Sequence, residues 1–156
     1  MGMMLNKLNL GSGLRPQPGY VNLDVRPEVN PDIVCNVEHS LPFDDNYFDE
    51  VRAWDFLEHI KIGKTIFVIE EIYRVLKPNG VFVIYVPSTD GRGAFQDPTH
   101  VSFWNINSWL YYCNDEHRAL YGIKAKFKII ELQDVPSVAY EQNKVIHTKG
   151  RLHAVK

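Results

Sequence analysis

Apolar positions follow two different spacings along this chain. Short apolar runs of strand length end at glycine or acidic residues, whereas the segment 65–77 repeats its apolar side chains at helical spacing. Ile66, Ile69, Ile72 and Leu76 lie on one stripe of that predicted helix, and Pro78 should end it before a turn at Asn79 and Gly80. Strand-like and helix-like segments alternate, which predicts an α/β fold with a parallel sheet.

Seven strands are predicted from this pattern. They are residues 5–10, 20–24, 32–35, 48–53, 81–86, 127–132 and 151–155. The run 81–86 holds only apolar residues, which is typical of a central strand covered on both faces. The sheet should be mostly parallel, with the last two strands as an antiparallel pair at one edge. Between the fifth and the sixth predicted strands, residues 87–126 should begin as a loop and include a helix near residues 105–113.

Length and composition indicate one globular domain, residues 1–156. Hydrophobic residues make up 45% of the chain and charged residues 23%, and no stretch is long enough to span a membrane. A net charge of −2 gives no electrostatic case for nucleic acid. Cys35 and Cys113 are far apart in the sequence, which predicts a reducing, cytoplasmic location. The six histidines show no His-x-x-x-His spacing, so no metal site is predicted.

Candidate binding residues follow the first four predicted strands. In an open parallel sheet the carboxyl ends of the strands share one edge, where ligands bind. A Gly-x-Gly turn allows close approach of a ligand to the backbone, and an acid at the end of the second strand can accept hydrogen bonds from both ribose hydroxyls. The candidates are Gly11, Ser12, Gly13, Asp24, Asn36, Val37 and Trp54.

Each of these residues also has a purely structural interpretation. Asp24 could cap a turn, Asn36 could be a turn residue, and Trp54 could belong to the core.

The spacing of the glycines and the acid separates two classes of cofactor more clearly. A dinucleotide fingerprint needs a third glycine at the position where this chain has Pro16. It also has about twenty residues between the glycines and the acid, whereas only about ten separate Gly13 from Asp24 here. The sequence therefore disfavours NAD and FAD.

Five segments together resemble the class I S-adenosylmethionine-dependent methyltransferases, in particular their small methyltransferase-type-11-like group. The segments are LNLGSG at 8–13, GYVNLD at 19–24, LPFDDNYFDEV at 41–51, LEHI at 57–60 and EIYRVLKPNG at 71–80. The resemblance implies a three-layer Rossmann-like sandwich and S-adenosylmethionine as cofactor. It also implies that Gly11 and Gly13 border the methionine part, that Asp24 holds the ribose, and that Asn36 and Val37 meet the adenine.

Two features depart from that family's pattern. The family usually has Asp where this chain has Asn36, although an amide oxygen can still accept a hydrogen bond from adenine. The family's N-terminal helix over the cofactor has no counterpart before the first predicted strand, so we expect a pocket that is open or closed by another chain.

The segment Asp97-Pro98-Thr99-His100 carries the candidate catalytic residues. Similar methyltransferase-like proteins have such a segment on the acceptor side, and His100 could accept a proton near neutral pH, with Asp97 beside it. The alternative is that His100 fixes the loop by hydrogen bonds and Asp97 caps a turn. His59 is interpreted as structural.

The sequence therefore predicts a methyltransferase acting on a small-molecule or glycan-type acceptor. Two alternatives stay open: a non-catalytic methyltransferase-like module that needs a partner chain, and a nucleic-acid or protein methyltransferase. No nucleic acid or membrane partner is expected, and a homodimer is left open.

Overall fold

The computed structural model describes residues 5–137 and 142–156, which form one seven-stranded sheet. The strands are β1 (Lys7–Leu10), β2 (Val21–Asp24), β3 (Ile33–Val34), β4 (Phe48–Trp54), β5 (Leu76–Pro87), β6 (Phe127–Pro136) and β7 (Ile146–Ala154). Their order is β3-β2-β1-β4-β5-β7-β6. Strands β1 to β5 are parallel, and β7 is antiparallel to both β5 and β6. The predicted α/β class, with a mostly parallel sheet and an antiparallel C-terminal pair, is confirmed.

Within residues 5–137 and 142–156, four α-helices connect the later strands. They are α1 (Thr65–Val75), α2 (Gly93–Gln96), α3 (Leu110–Cys113) and α4 (Asp115–Tyr121), and 3-10 turns occupy Pro27–Val29, Leu57–His59, Ile62–Lys64 and Ile106–Trp109. The helix predicted at 105–113 forms as the last of these turns running into α3. Among the described residues, no helix has the length and apolar character needed to cross a membrane.

Helix α1 ends two residues earlier than its sequence pattern predicts. Leu76 already has an extended backbone, with ψ 141°, and pairs with Phe48 as the first residue of β5. The predicted turn at Asn79 and Gly80 lies inside this strand, where the register against β4 shifts. Asn79 adopts φ +62°, so the turn chemistry bends a continuous strand instead of separating a helix from a strand.

The apolar core lies between one face of the sheet and the helices that follow β4 and β5. Phe82 of β5 contacts Trp109 and Phe127, and Tyr73 of α1 also packs against Phe127. Phe82 and Trp109 are fully buried. This aromatic packing joins α1 and the C-terminal strands into one core.

The opposite face of the sheet is polar. Arg52 of β4 lies in register with Val83 of β5, which in turn pairs with Arg151 of β7, and all three are partly or fully exposed. The chain crosses the sheet in one direction from β1 to β3 and in the other direction from β4 to β5. Right-handed crossovers in opposite directions lie on opposite faces of a sheet, so the β1–β2 and β2–β3 connections lie on the polar face. Those connections are short loops with one 3-10 turn, which explains why this face carries polar side chains.

Candidate active site

The turn after β1 depends on glycine at residue 11. Gly11 has φ +62° and Gly13 has φ +51°, a region that side chains disfavour. A Cβ on Gly11 would lie 2.9 Å from Phe56 Cγ and still closer to the ring edge. The ring of Phe56, which follows β4, therefore packs directly on the backbone of this turn. The Gly-x-Gly pattern thus has both a conformational and a steric cause.

Asp24 ties the glycine turn to the end of β2. Its Oδ2 accepts a hydrogen bond from Gly13 N (2.8 Å), and its Oδ1 accepts one from Arg26 N (2.9 Å). Burial alone raises the pKa of Asp24, but these backbone donors and the Arg26 guanidinium together outweigh burial and hold that pKa below its ordinary value. The residue is therefore a buried carboxylate that fixes the turn. Oδ1 also accepts a longer bond from Arg26 Nε (3.3 Å), whereas Oδ2 keeps further lone-pair capacity.

A cavity of about 600 Å³ opens at the carboxyl ends of β1, β2 and β4. Asp24, Asn36 and Val37 line one side, and Phe56, His59 and Lys61 line the other. The structure thus brings together five of the seven candidate binding residues at this cavity: Gly11, Gly13, Asp24, Asn36 and Val37.

A second cavity of about 510 Å³ lies on the other side of the glycine turn. It contains the remaining two candidates, Ser12 and Trp54, and its lining includes the cationic residues Arg15, Arg26 and Arg52. The two cavities share four residues: Gly11, Gly13, Arg26 and Asp55. Together they form one elongated site around the turn, with a cationic end.

Asp55 stands at the junction of the two cavities, although it is not one of the seven candidate binding residues. Its backbone is left-handed, with φ +48°, and its N–H donates to Tyr85 O (2.8 Å). Its carboxylate accepts a hydrogen bond from His147 Nε2 (3.1 Å) and is about half exposed. A strained acidic residue in a cleft is a functional signal that only the backbone conformation reveals.

Trp54 and Ser12 present different features to the second cavity. The Trp54 ring stacks on Tyr85 with centroids 4.3 Å apart, and the Arg52 guanidinium lies 4.3 Å from the Trp54 ring centroid. Trp54 is 39% exposed, so it is not a core residue. Ser12 Oγ is buried and has no hydrogen-bond partner among the described residues.

Asn36 and Val37 form the beginning of the turn after β3. Asn36 Oδ1 accepts a hydrogen bond from Glu38 N (3.0 Å), so Asn36 does act as a turn residue, while its exposed side chain also borders the cavity. Val37 is buried and packs into the core beneath it.

The candidate catalytic residues lie close together behind the first cavity. Asp97 Oδ1 accepts hydrogen bonds from Thr99 N (2.8 Å) and Thr99 Oγ1 (2.7 Å), and these bonds lower the pKa of Asp97. Its Oδ2 lies 3.7 Å from His100 Nε2. The His100 side chain is only 7% exposed, and its ring packs edge-on against His59 with centroids 5.1 Å apart. His59 and Thr99, in contrast, line the cavity directly.

Glu58 is a buried acid beside these two histidines, and the sequence analysis did not identify it. Its side chain is 3% exposed, and its Oε1 lies 3.8 Å from His59 Nε2 and 4.0 Å from His100 Nε2. Burial raises the pKa of Glu58 to about 8, and the charges of Asp55 and Asp97 add to that rise. The segment LEHI therefore places both an acid and a histidine near the site.

Comparison with known sequences points to the same region of the chain. The profile of the family described as "Methyltransferase domain" matches residues 17–84. The 24-methylenesterol C-methyltransferase 2 of Arabidopsis thaliana is 37% identical over 70 residues, which is 45% of this chain and 19% of that protein. The match thus spans about a fifth of the length of this curated relative.

Solved structures match the fold over nearly the whole chain. The [4+2]-cyclase SpnF has a TM-score of 0.70 at 17% identity, covering 97% of this chain and 74% of its own. The 1,6-didemethyltoxoflavin-N1-methyltransferase of Burkholderia thailandensis, solved with 1,6-didemethyltoxoflavin and S-adenosylhomocysteine, has a TM-score of 0.66 at 14% identity, covering 97% and 72%. At such identities the likeness establishes the fold.

Proposed function

We propose that the chain transfers a methyl group from S-adenosylmethionine to a small-molecule or glycan-type acceptor. Residues 17–84 match the methyltransferase-domain profile, and the fold matches that of a methyltransferase solved with S-adenosylhomocysteine. The observation that carries the proposal is the pair of cavities joined at the glycine turn. Together they offer separate places for a nucleoside and an amino acid, which are the two halves of this cofactor.

The charges around the two cavities fit the cofactor's charged groups. Arg15, Arg26 and Arg52 would face the methionine carboxylate in the second cavity. Asp55, at the junction, offers a carboxylate where the sulfonium joins the two halves. A pyrophosphate would have no helix N-terminus here, because the glycine turn leads into a loop before β2. The donor and acceptor set therefore suits S-adenosylmethionine better than a dinucleotide.

Under this proposal Asp24 binds the ribose and keeps its backbone hydrogen bonds. Oδ2 accepts one backbone hydrogen bond and has a second lone-pair direction for a ribose hydroxyl. Oδ1 also accepts a longer bond from Arg26 Nε (3.3 Å), which the second ribose hydroxyl would replace. Gly11 and Gly13 would border the methionine part, and Asn36 and Val37 the adenine. The amide group of Asn36 lies at the rim of the first cavity, where it can face the adenine edge.

The bound cofactor would supply a methyl group already activated by the sulfonium, so the protein's main tasks are alignment of the acceptor and exclusion of water. A hydroxyl acceptor also needs a base. His100, with Asp97, stays a prediction for that role. Its Nε2 lies 4.0 Å from Glu58 Oε1, and its side chain is not among those that line the cavity. His59 lies on the cavity wall and is the more accessible imidazole.

The acceptor class is supported by the named relatives and by an exposed apolar surface in the loop after β5. One relative is named for a sterol substrate, and one structural neighbour for a small heterocycle. On the chain itself, Phe95 and Phe103 are exposed and stack at 5.2 Å in that loop, where an apolar acceptor could pack. A reducing, cytoplasmic compartment is part of the proposal, supported by Cys35 and Cys113, which are both free thiols.

Calorimetric titration with S-adenosylmethionine and S-adenosylhomocysteine tests the proposal, with NAD as a control ligand. We expect a dissociation constant on the order of micromolar for the first two. Two ribose hydrogen bonds to a charged acceptor contribute about 1.5–3 kcal/mol each, so Asp24→Ala should weaken binding by roughly a hundredfold or more. Asp44→Ala is the matched control, because Asp44 is exposed and lies away from both cavities. Equal binding of all three ligands, or of none, would contradict the proposal.

A methyltransferase-like module that needs a partner chain is the second candidate. The polar sheet face favours it, because the short connections at residues 11–20 and 25–32 leave Arg52 and Arg151 partly exposed there. Protein or nucleic-acid methylation belongs to the same candidate, since a partner could supply the recognition surface. Retained cellular function in Asp24→Ala would favour this candidate over the enzyme.

A further inference from the structure

The cluster of Glu58, His59 and His100 brings three potential metal ligands together from two distant segments. Glu58 and His59 lie in the 3-10 turn after β4, and His100 lies in the loop after α2. One ligand atom from each residue lies within 4.8 Å of the other two. The sequence spacing conceals this cluster, because the two histidines are forty-one positions apart.

The hydrogen bonds of both histidines determine which ring nitrogen is free. His100 Nδ1 lies 3.1 Å from Ala94 O, a carbonyl that can only accept, so Nδ1 carries the proton. His59 Nδ1 lies 3.3 Å from both Thr99 O and Thr99 Oγ1. The Thr99 hydroxyl donates its own hydrogen to Asp97, so both of these oxygens act as acceptors toward His59. In both rings Nε2 therefore keeps its lone pair.

Both Nε2 lone pairs face the Glu58 carboxylate, which has no donor of its own when ionised. Glu58 Oε1 lies 3.8 Å from one Nε2 and 4.0 Å from the other, and Oε2 is buried without a hydrogen-bond partner among the described residues. Three acceptor groups thus converge in a buried place, and within the described part of the chain no donor lies between them. Burial disfavours the ionised form of Glu58 while this side chain is unpaired, and a cation at this point would stabilise that form.

Backbone bonds hold the cluster independently of any ligand. Val101 N and Ser102 N both donate to the carbonyl oxygen of Glu58, at 2.8 and 3.1 Å. Ser102 Oγ also donates to Leu57 O at 2.8 Å. These bonds join the turn after β4 to the loop that carries His100. The three side chains are therefore fixed relative to one another before any ion binds, which lowers the cost of binding.

The distances are close to those that a metal ion requires. Zinc binds nitrogen and oxygen at about 2.0–2.2 Å, so tetrahedral ligand atoms lie roughly 3.3–3.6 Å apart. The observed 3.8 and 4.0 Å need shifts of a few tenths of an ångström, and the third distance between ligand atoms is within 4.8 Å. Asp97 Oδ2, at 3.7 Å from His100 Nε2 on a half-exposed side chain, is placed to become a fourth ligand. Two imidazoles favour a first-row transition metal over magnesium or calcium.

We propose that Glu58, His59 and His100 bind a divalent first-row transition-metal ion, with Asp97 available as a further ligand. The Nδ1 bonds to Ala94 and Thr99 provide the outer contacts that orient both imidazoles. His59 also lines the first cavity, so the ion would lie beside it. Any role of the ion toward an acceptor oxygen rests on the proposed function, whereas the metal site itself does not.

The test is a calorimetric titration of the tag-free, EDTA-stripped chain with zinc chloride, without S-adenosylmethionine. We expect one ion per chain. Loss of an outer contact typically costs about 10–100-fold in affinity, so Glu58→Gln and His100→Ala, which remove ligands, should each weaken zinc binding at least that much. His153→Ala is the matched control, because His153 bonds Asn79 O at the opposite end of the sheet and should leave the affinity unchanged.

Cobalt substitution gives an independent readout. The visible absorption of bound Co²⁺ should appear in the wild type and in His153→Ala and disappear in His100→Ala. Circular dichroism and S-adenosylmethionine titration in the presence of EDTA show whether each variant is folded, and the second also tests the proposed function apart from the metal. Absence of zinc and cobalt binding in the folded wild type would overturn the proposal. Unchanged zinc affinity in Glu58→Gln and His100→Ala would overturn it as well, since the ion would then bind elsewhere.

Discussion

Substitution of alanine for Gly11 should be the most damaging of three matched glycine replacements. Gly11 combines φ +62° with the ring of Phe56 against its backbone. The left-handed backbone costs about 1–2 kcal/mol for a residue with a side chain, and forcing an extra methyl into a packed place costs about 1–3 kcal/mol more. We therefore expect Gly11→Ala to lower the free energy of unfolding by about 2–5 kcal/mol.

Two other glycines separate the two causes. Gly19 has φ +79°, but no described atom lies within 4 Å of the place that an alanine methyl would take, so Gly19→Ala should cost only the backbone part, about 1–2 kcal/mol. Gly63 has neither a positive φ nor a close neighbour among the described residues, so Gly63→Ala should be neutral or stabilising by about 0.4–1 kcal/mol. Phe56→Ala removes the ring that crowds Gly11, so Gly11→Ala in a Phe56→Ala background should cost only the backbone part, measured against Phe56→Ala alone.

Urea unfolding followed by tryptophan fluorescence measures the three glycine variants, Phe56→Ala and the double variant on one scale. The expected order of stability is Gly63→Ala, then Gly19→Ala, then Gly11→Ala. If Gly11→Ala proves no less stable than Gly19→Ala, the reasoning from the Phe56 contact is refuted. The same would hold if Gly11→Ala cost as much in the Phe56→Ala background as in the wild type.

Three further predictions concern core packing, pH and the catalytic loop. Ile72→Ala, at a fully buried position of α1, should cost about 2–5 kcal/mol in urea unfolding, whereas Ile66→Ala, 39% exposed on the same helix, should cost a small fraction of that. Hydrogen bonds from Arg74 lower the pKa of Glu71 to about 2 from an ordinary 4.5, so this ionised group stabilises the fold above about pH 4.5. That stability should be lost as pH falls from 4.5 toward 2, and Glu71→Gln should flatten the unfolding free energy over this window, with an unchanged slope counting against the prediction. His100→Ala should leave S-adenosylmethionine affinity in EDTA intact, because the His100 side chain does not line either cavity, and a large loss of affinity in calorimetry would contradict this placement.

The sheet and the glycine turn could be predicted because their signals are local. The apolar run at 81–86 predicted a central strand, and it forms the C-terminal half of β5. Gly11 and Asp24 each follow or end a strand, and parallel strands bring their carboxyl ends to one edge. The C-terminal strands were located but predicted too short, because β6 and β7 extend past their apolar segments through residues such as Asp134 and His147.

Helix α4 had a signal that the sequence analysis did not use. Asn114 caps its first turn by accepting from Glu116 N and His117 N, and Gly122 ends it with φ +64°. An Asn followed by two acids, with Gly at the far end, is a typical pattern for a short helix. Seven residues carry too few apolar side chains for periodicity to reveal the helix, so only its caps could have done so.

The rest of the site depends on contacts between distant segments. Glu58 and His100 meet because Val101 N and Ser102 N donate to the carbonyl oxygen of Glu58, which joins two loops that local pattern treats separately. Asp55 gains its position from a left-handed backbone, which Asp adopts more readily than most residues but which the sequence does not require at this place.

The central claim is that the two joined cavities bind S-adenosylmethionine, and its most direct test is to locate the binding site by NMR. Backbone amide spectra of the ¹⁵N-labelled chain would be recorded during titration with S-adenosylhomocysteine. The account predicts saturable shifts concentrated at Gly11, Gly13, Val37 and Phe56, with Arg151 on the polar sheet face unchanged. Shifts confined to that face, or no shifts at millimolar ligand, would contradict it.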